Sequence, residues 1–91
     1  MRVEPVEIYS DASNNAVMRH PGRRFPGVLV QGDNRYAMCR TVDEICCKAH
    51  DRLDQETYEA LNELRNNLWA RLNQYKAVLT DHKISLPFSE I

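Results

Sequence analysis

All three glycines and three of the four prolines of this 91-residue chain lie before Asp33, and from Asp33 to Leu86 there is neither. These two residues set turns and interrupt helices, so irregular backbone gathers in the first third and the remainder is free to run as helix. The pairs Pro21-Gly22 and Pro26-Gly27 stand five residues apart inside AVMRHPGRRFPGVLVQGD, residues 16–33. In His20-Pro21-Gly22-Arg23 and Phe25-Pro26-Gly27-Val28, proline presets φ at the first corner and glycine accepts a positive φ at the second. That is the type II arrangement, and it predicts two successive turns.

Short strands fit around those turns. Val3 to Tyr9 alternates, with Val6 and Ile8 on one side and Glu7 and Tyr9 on the other, which predicts a half-buried strand; Pro5 assigns it to a sheet edge. The turn formers from Ser10 to Asn15 let Ala16–Arg19 return as a second strand. Val28-Leu29-Val30 is too short to be anything but a buried strand or a packed entry to a helix.

Two helices follow. Asp33 suits the N-cap of the first, whose Met38, Val42, Ile45, Ala49 and Leu53 recur at helical spacing and predict its core face. Thr41 with Glu44 also has the form of a capping box, so a start at Thr41 competes with a start near Asn34. Asp54 caps a second helix running to about Thr80, with the apolar stripe Tyr58, Leu61, Leu64, Leu68, Leu72, Tyr75 and Leu79. The tail Ile84-Ser85-Leu86-Pro87-Phe88 is apolar enough to dock. The expected fold is α+β: a small N-terminal antiparallel sheet of two to three strands covered by a C-terminal helical hairpin. Residues 1–91 form one domain, with strands and turns in 1–32, two helices in 33–82 and a docked tail in 83–91.

A chain of this length can bury roughly two-thirds of its surface without metal or disulfide. The formal charge of −1 exerts no overall pull toward nucleic acid or anionic lipid, and no segment is long and apolar enough to be a membrane span. The amino terminus MRVEPVEIYSD lacks the apolar core of a signal peptide. Cys39, Cys46 and Cys47 are odd in number and two are adjacent, which suits a reducing, cytoplasmic setting. The charge is unevenly spread. Six arginines face four acids in residues 1–40, whereas six basic residues face nine acids in 41–91.

Four constellations could carry chemistry. Cys46 and His50, four apart, share a helical face and could chelate an ion, but Cys39 lies about 10 Å further along the axis, too far to share it. No metal site and no cofactor are expected. Cys47 with His50 could suggest a thiol nucleophile, yet Asp43 and Glu44 nearby raise a thiol pKa, the wrong direction for catalysis. No nucleotide, hydrolase or metalloprotease motif occurs, so an enzyme is not expected.

Arg19, Arg23, Arg24, Arg35 and Arg40, with Phe25 and Tyr36 interleaved and one acid among them, could grip a nucleic-acid backbone or a protein. Arginines beside tight turns equally pair with local carboxylates or carbonyls. On the long helix Asn62, Asn66, Trp69 and Asn73 lie side by side at the border of the apolar stripe. That composition fits an interface anchor with a polar rim, or a tryptophan sealing the seam between helices.

The string MRHPGRRFPGVLVQGD (18–33), two helices and a terminal KISLPF (83–88) resemble a family of small bacterial proteins with an R-F-P-G-V-x-x-Q-G-D core, distantly similar to bacterial toxin-immunity proteins. The layout matches over nearly the whole chain; where those proteins continue Q-G-D-S-L, this one has Asn34-Arg35. The resemblance implies a non-enzymatic binding protein and supplies no catalytic residues. The expected function is therefore binding of another protein, as an immunity or inhibitor partner. The candidate contacts are Arg19, Arg23, Arg24, Phe25, Arg35, Asn62, Asn66, Trp69 and Asn73. The alternatives are a small nucleic-acid-associated or regulatory domain using the same arginines, and a structural homodimer pairing the long helix with its twin.

Overall fold

The computed structural model describes residues 1–90 and has a three-stranded antiparallel sheet at the N-terminus followed by two helices, an α+β arrangement. The chain divides into two compact units, Met1–Gln31 and the segment beginning at Gly32.

In the first unit β1 (Glu7–Ser10), β2 (Val17–Arg19) and β3 (Gly27–Val28) lie in the order β1-β2-β3. Glu7 faces Arg19 and Ile8 faces Met18, and a bulge at Tyr9 then shifts the register so that Ser10 faces Val17. On the other side of β2, Val17 faces Val28 and Met18 faces Gly27. β1 starts later than the alternation predicts. Pro5 has no N–H to give a ladder, so regular pairing begins only beyond it. Its expected inward residues are also open to solvent, Ile8 at 57% and Val6 at 39% exposure.

The two Pro-Gly turns differ from one another. At the first, Arg23 N–H donates to the His20 carbonyl at 3.1 Å and Gly22 takes φ 81°, as a type II turn requires. At the second, Gly27 keeps a negative-φ backbone because it is already the first residue of β3, paired with Met18. The expected second type II turn is therefore replaced by direct entry into a strand. One further bond, Leu29 N–H to the Ala16 carbonyl at 2.8 Å, ends the ladder; the strand expected to be buried is instead an exposed edge, with Val28 60% and Leu29 47% exposed.

The second unit is a helical hairpin, α1 (Gly32–Ala49) and α2 (Gln55–Asp81). α1 runs unbroken through Thr41, which settles its start at the early position. Asp33 lies inside the first turn, where its Oδ1 accepts the Asn34 N–H at 2.8 Å. Asp54 is the N-cap of α2, with extended backbone and a carboxylate accepting the Thr57 N–H at 2.8 Å. The C-terminus closes as a Schellman motif, with Lys83 N–H donating to Thr80 and Ile84 N–H to Leu79. Lys83 occupies the left-handed position, φ 57°, more often held by glycine.

Three contacts fix the antiparallel register. Gly32 abuts Tyr75, Asp43 bonds Arg65, and His50 meets Tyr58 edge-on at 5.3 Å between ring centres. Each step along α1 is matched by a step back along α2. The seam on α2 follows heptad spacing through Tyr58, Leu61, Arg65, Leu68, Leu72, Tyr75 and Leu79, all at least half-buried. Leu64, expected in that stripe, is 52% exposed, and Arg65 occupies the seam. On α1 the buried residues are Gly32, Cys39 and Cys46, seven apart. The expected core residues Met38, Ile45 and Leu53 are 40%, 47% and 37% exposed. The buried face is turned by one residue from the most hydrophobic one, because small side chains on α1 let the large ones of α2 fill the space between the axes.

The tail returns onto this hairpin. Phe88 stacks on Tyr36 at 4.3 Å with the rings 3° from parallel, and the Tyr36 hydroxyl donates to the Ser89 carbonyl at 3.4 Å. Lys76 pairs with Glu90 at 2.5 Å, tying the tail to α2 as well.

Candidate functional site

The first unit gathers four of the candidate residues around the double turn. Arg19, on β2, pairs across the sheet with Glu7, which also accepts the Tyr9 hydroxyl at 2.5 Å. Those two hydrogen bonds, Tyr9 first and then Arg19, hold the Glu7 carboxyl below its ordinary range. Arg19 is thus committed within its own sheet. Arg23 and Arg24 are exposed, and among the described residues neither has a carboxylate partner. The Arg24 guanidinium lies 5.2 Å from the centre of the Phe25 ring, which is itself 72% exposed. A solvent-open depression of about 270 Å³ is lined by Met18, His20, Arg23, Phe25, Val28 and Leu29. It joins an apolar floor to a cationic rim.

The remaining candidates lie in the second unit. Arg35 is half-buried on α1. Asn66 and Asn73 are exposed on α2, and Asn62 is half-buried. Trp69 is half-buried too, and its indole N–H donates to Asp43 Oδ1 at 2.9 Å. The tryptophan therefore sits in the seam between the helices.

No sequence pattern pairs Asp43 with Arg65, yet together with Trp69 they form a polar node in the seam of the hairpin. Arg65 Nε donates to the same Asp43 oxygen at 2.5 Å. Two donors one helical turn apart on α2 thus converge on one carboxylate of α1. A signal was present: Arg65 stands at a heptad position between Leu61 and Leu68, and a charge in a seam requires a partner. Partial desolvation pushes the Asp43 carboxyl up, but the bonds from Arg65 and Trp69 and the Arg65 charge outweigh it and hold the group below its ordinary range.

Asp43→Asn is expected to cost about 1 kcal/mol at neutral pH, because the acceptor persists while its charge is lost. A carboxyl with a lowered folded pKa stabilises fully above its unfolded pKa and ceases to do so as pH falls through the folded value. The gap between wild type and variant in urea unfolding should therefore narrow below about pH 4. A gap that stays constant into strong acid would assign the cost to shape instead of charge.

Asp43 and Arg65 also border a groove with Cys46, Cys47, His50, Tyr58 and Asn62. All three cysteines are free thiols, Cys47 exposed and the other two buried. Burial pushes the Cys39 thiol up, consistent with a packing role. Among the described residues no three His, Cys, Asp or Glu side chains converge as metal ligands. No helix is long and apolar enough to cross a membrane.

Residues 1–88 match the model of DUF6959, a family of unknown function, and the chain belongs to that family. No curated protein and no solved structure matches the chain.

Proposed function

We propose that this member of the DUF6959 family is a non-enzymatic domain that binds another protein, as an immunity or inhibitor partner in a bacterial cytoplasm. Its contact surface is the arginine-rich double turn. The observation that carries this reading is Phe25, 72% exposed beside Arg23 and Arg24 in a stretch, residues 16–31, that contains no acid. An aromatic ring held in water leaves apolar area unused, and aromatic residues with arginine are the types that anchor protein interfaces. The three free thiols suit a reducing compartment. Trp69, whose N–H is already taken by Asp43, contributes to the hairpin's own packing, and the neighbouring asparagines are left as a secondary surface.

The test is co-purification from the native host after cross-linking, with bound proteins identified by mass spectrometry. One protein should be enriched by the wild-type chain and lost with Phe25→Ala, by a factor of about thirty if Phe25 is a hot spot worth about 2 kcal/mol. The helical circular-dichroism signal should not change. Equal recovery by both forms, or enrichment of nucleic acid with no protein, would overturn the assignment.

A further inference from the structure

We infer that β3 is a docking edge for an acidic, extended segment of a protein partner, which joins the sheet as a fourth strand beside Val28. This rests on the protein-binding reading above and specifies its geometry.

The two edges of the sheet are built differently. β1 carries the devices that discourage edge pairing: Pro5 just before it, a bulge at Tyr9, and the charged Glu7 held by Arg19. Pro26 stands before β3 as Pro5 stands before β1, but Gly27–Val28 carries neither a bulge nor a charged side chain. Leu29 N–H donates to Ala16 and Val17 faces Val28, so Val17 and Val28 are a non-hydrogen-bonded pair. The N–H and C=O of Val28 consequently project from the outer edge. Among the described residues no other strand pairs there, and Val28 is 60% exposed.

Side-chain chemistry beside that edge selects the occupant. Arg23 and Arg24 have no carboxylate among the described residues, whereas Arg19 and Arg2 are satisfied by Glu7 and Glu4. Arg23, Phe25 and Leu29 line the depression described above, with Phe25 and Leu29 72% and 47% exposed. An added strand supplies main-chain bonds to Val28, every second side chain can enter such a hollow, and alternate positions can offer carboxylates to the two arginines. A nucleic-acid strand brings the negative charge without the strand backbone or the apolar anchor.

The probe is a blocked seven-residue peptide alternating valine and glutamate around a central phenylalanine, titrated against the full chain. Saturable binding should shift the backbone amide resonances of Val28 and Leu29. Replacing Arg23 and Arg24 together by alanine should weaken it about tenfold at low salt. The lysine-for-glutamate peptide should bind more weakly still, and N-methylating the acidic peptide's edge-facing amides should abolish binding. The inference falls if the acidic peptide does not bind, if the lysine peptide binds as well, if the shifts lie outside residues 16–30, or if a single-stranded oligothymidine binds more tightly than the peptide. If the peptide fails while Phe25→Ala still loses the co-purified protein, edge docking is wrong and protein binding stands. Failure of both removes both.

Discussion

Leu72→Ala is expected to cost the helical unit about 2–5 kcal/mol, enough in a unit this small to remove most of its folded population. Leu72 has no exposed surface and is the largest fully buried side chain among the described residues. The antiparallel register sets the turn from Leu68 to Leu72 opposite Cys39, the other side chain with no exposure. Leu72 is thus buried in a seam whose buried residues on α1 are small, and truncating it leaves a gap with no large side chain of α1 to fill it. Closing that gap would require the axes to move together, but Tyr75 against Gly32 on one side and Trp69 against Asp43 on the other hold them apart. The cavity term should thus add to the lost transfer free energy. Urea unfolding followed by circular dichroism reads this directly. Leu72→Met, which conserves volume, should cost less than about 1.5 kcal/mol. A loss below about 1 kcal/mol for the alanine variant would mean that the seam collapses freely and that Leu72 is not its keystone.

The parts of the fold legible in the sequence are those governed by local rules. Asp54 caps α2 because a carboxylate one residue before a helix can meet the Thr57 N–H whatever lies elsewhere. Gly22 takes a positive φ because Pro21 has already fixed the preceding corner. The α2 stripe was legible except at Leu64, where hydrophobicity pointed to one residue and the heptad spacing of the seam took its neighbour Arg65. The buried face of α1 departs from the hydrophobic pattern for a related reason. A hydrophobic scale ranks Met38 and Ile45 above Gly32, Cys39 and Cys46, whereas a close helix pair places small residues on one side when the other carries Leu72 and Tyr75. Asp43 with Arg65 depends on the register between two helices, which no local rule supplies. Of the candidate site, the arginines and Phe25 are visible as composition, but separating Arg19, committed to Glu7, from Arg23 and Arg24, which have no carboxylate partner among the described residues, requires the cross-strand pairing.

Gly32→Ala is expected to destabilise the chain by about 1–3 kcal/mol, although the local preference runs the other way. Gly32 has ordinary helical backbone, so no positive φ demands glycine, and alanine in a helix is favoured over glycine by up to about 1 kcal/mol. Room is what excludes it. A Cβ at this position would overlap the far end of the Tyr75 ring, at Cε1, Cζ and the hydroxyl. A ring is stiff, so relief requires Tyr75 to swing out of the seam, which exposes apolar area that the hairpin now buries, or the first turn of α1 to lift away. The expected fall in melting temperature is about 4–8 °C for each kcal/mol lost. A double-mutant cycle isolates the cause. With Tyr75→Ala already in place, Gly32→Ala should become neutral or stabilising, because only the helix preference is left to act. The reversal of sign is the decisive result: if Gly32→Ala stabilises the wild-type chain, the ring does not fill the space above the first turn, and the register that this contact shares with Asp43–Arg65 and His50–Tyr58 loses its anchor at the open end of the hairpin.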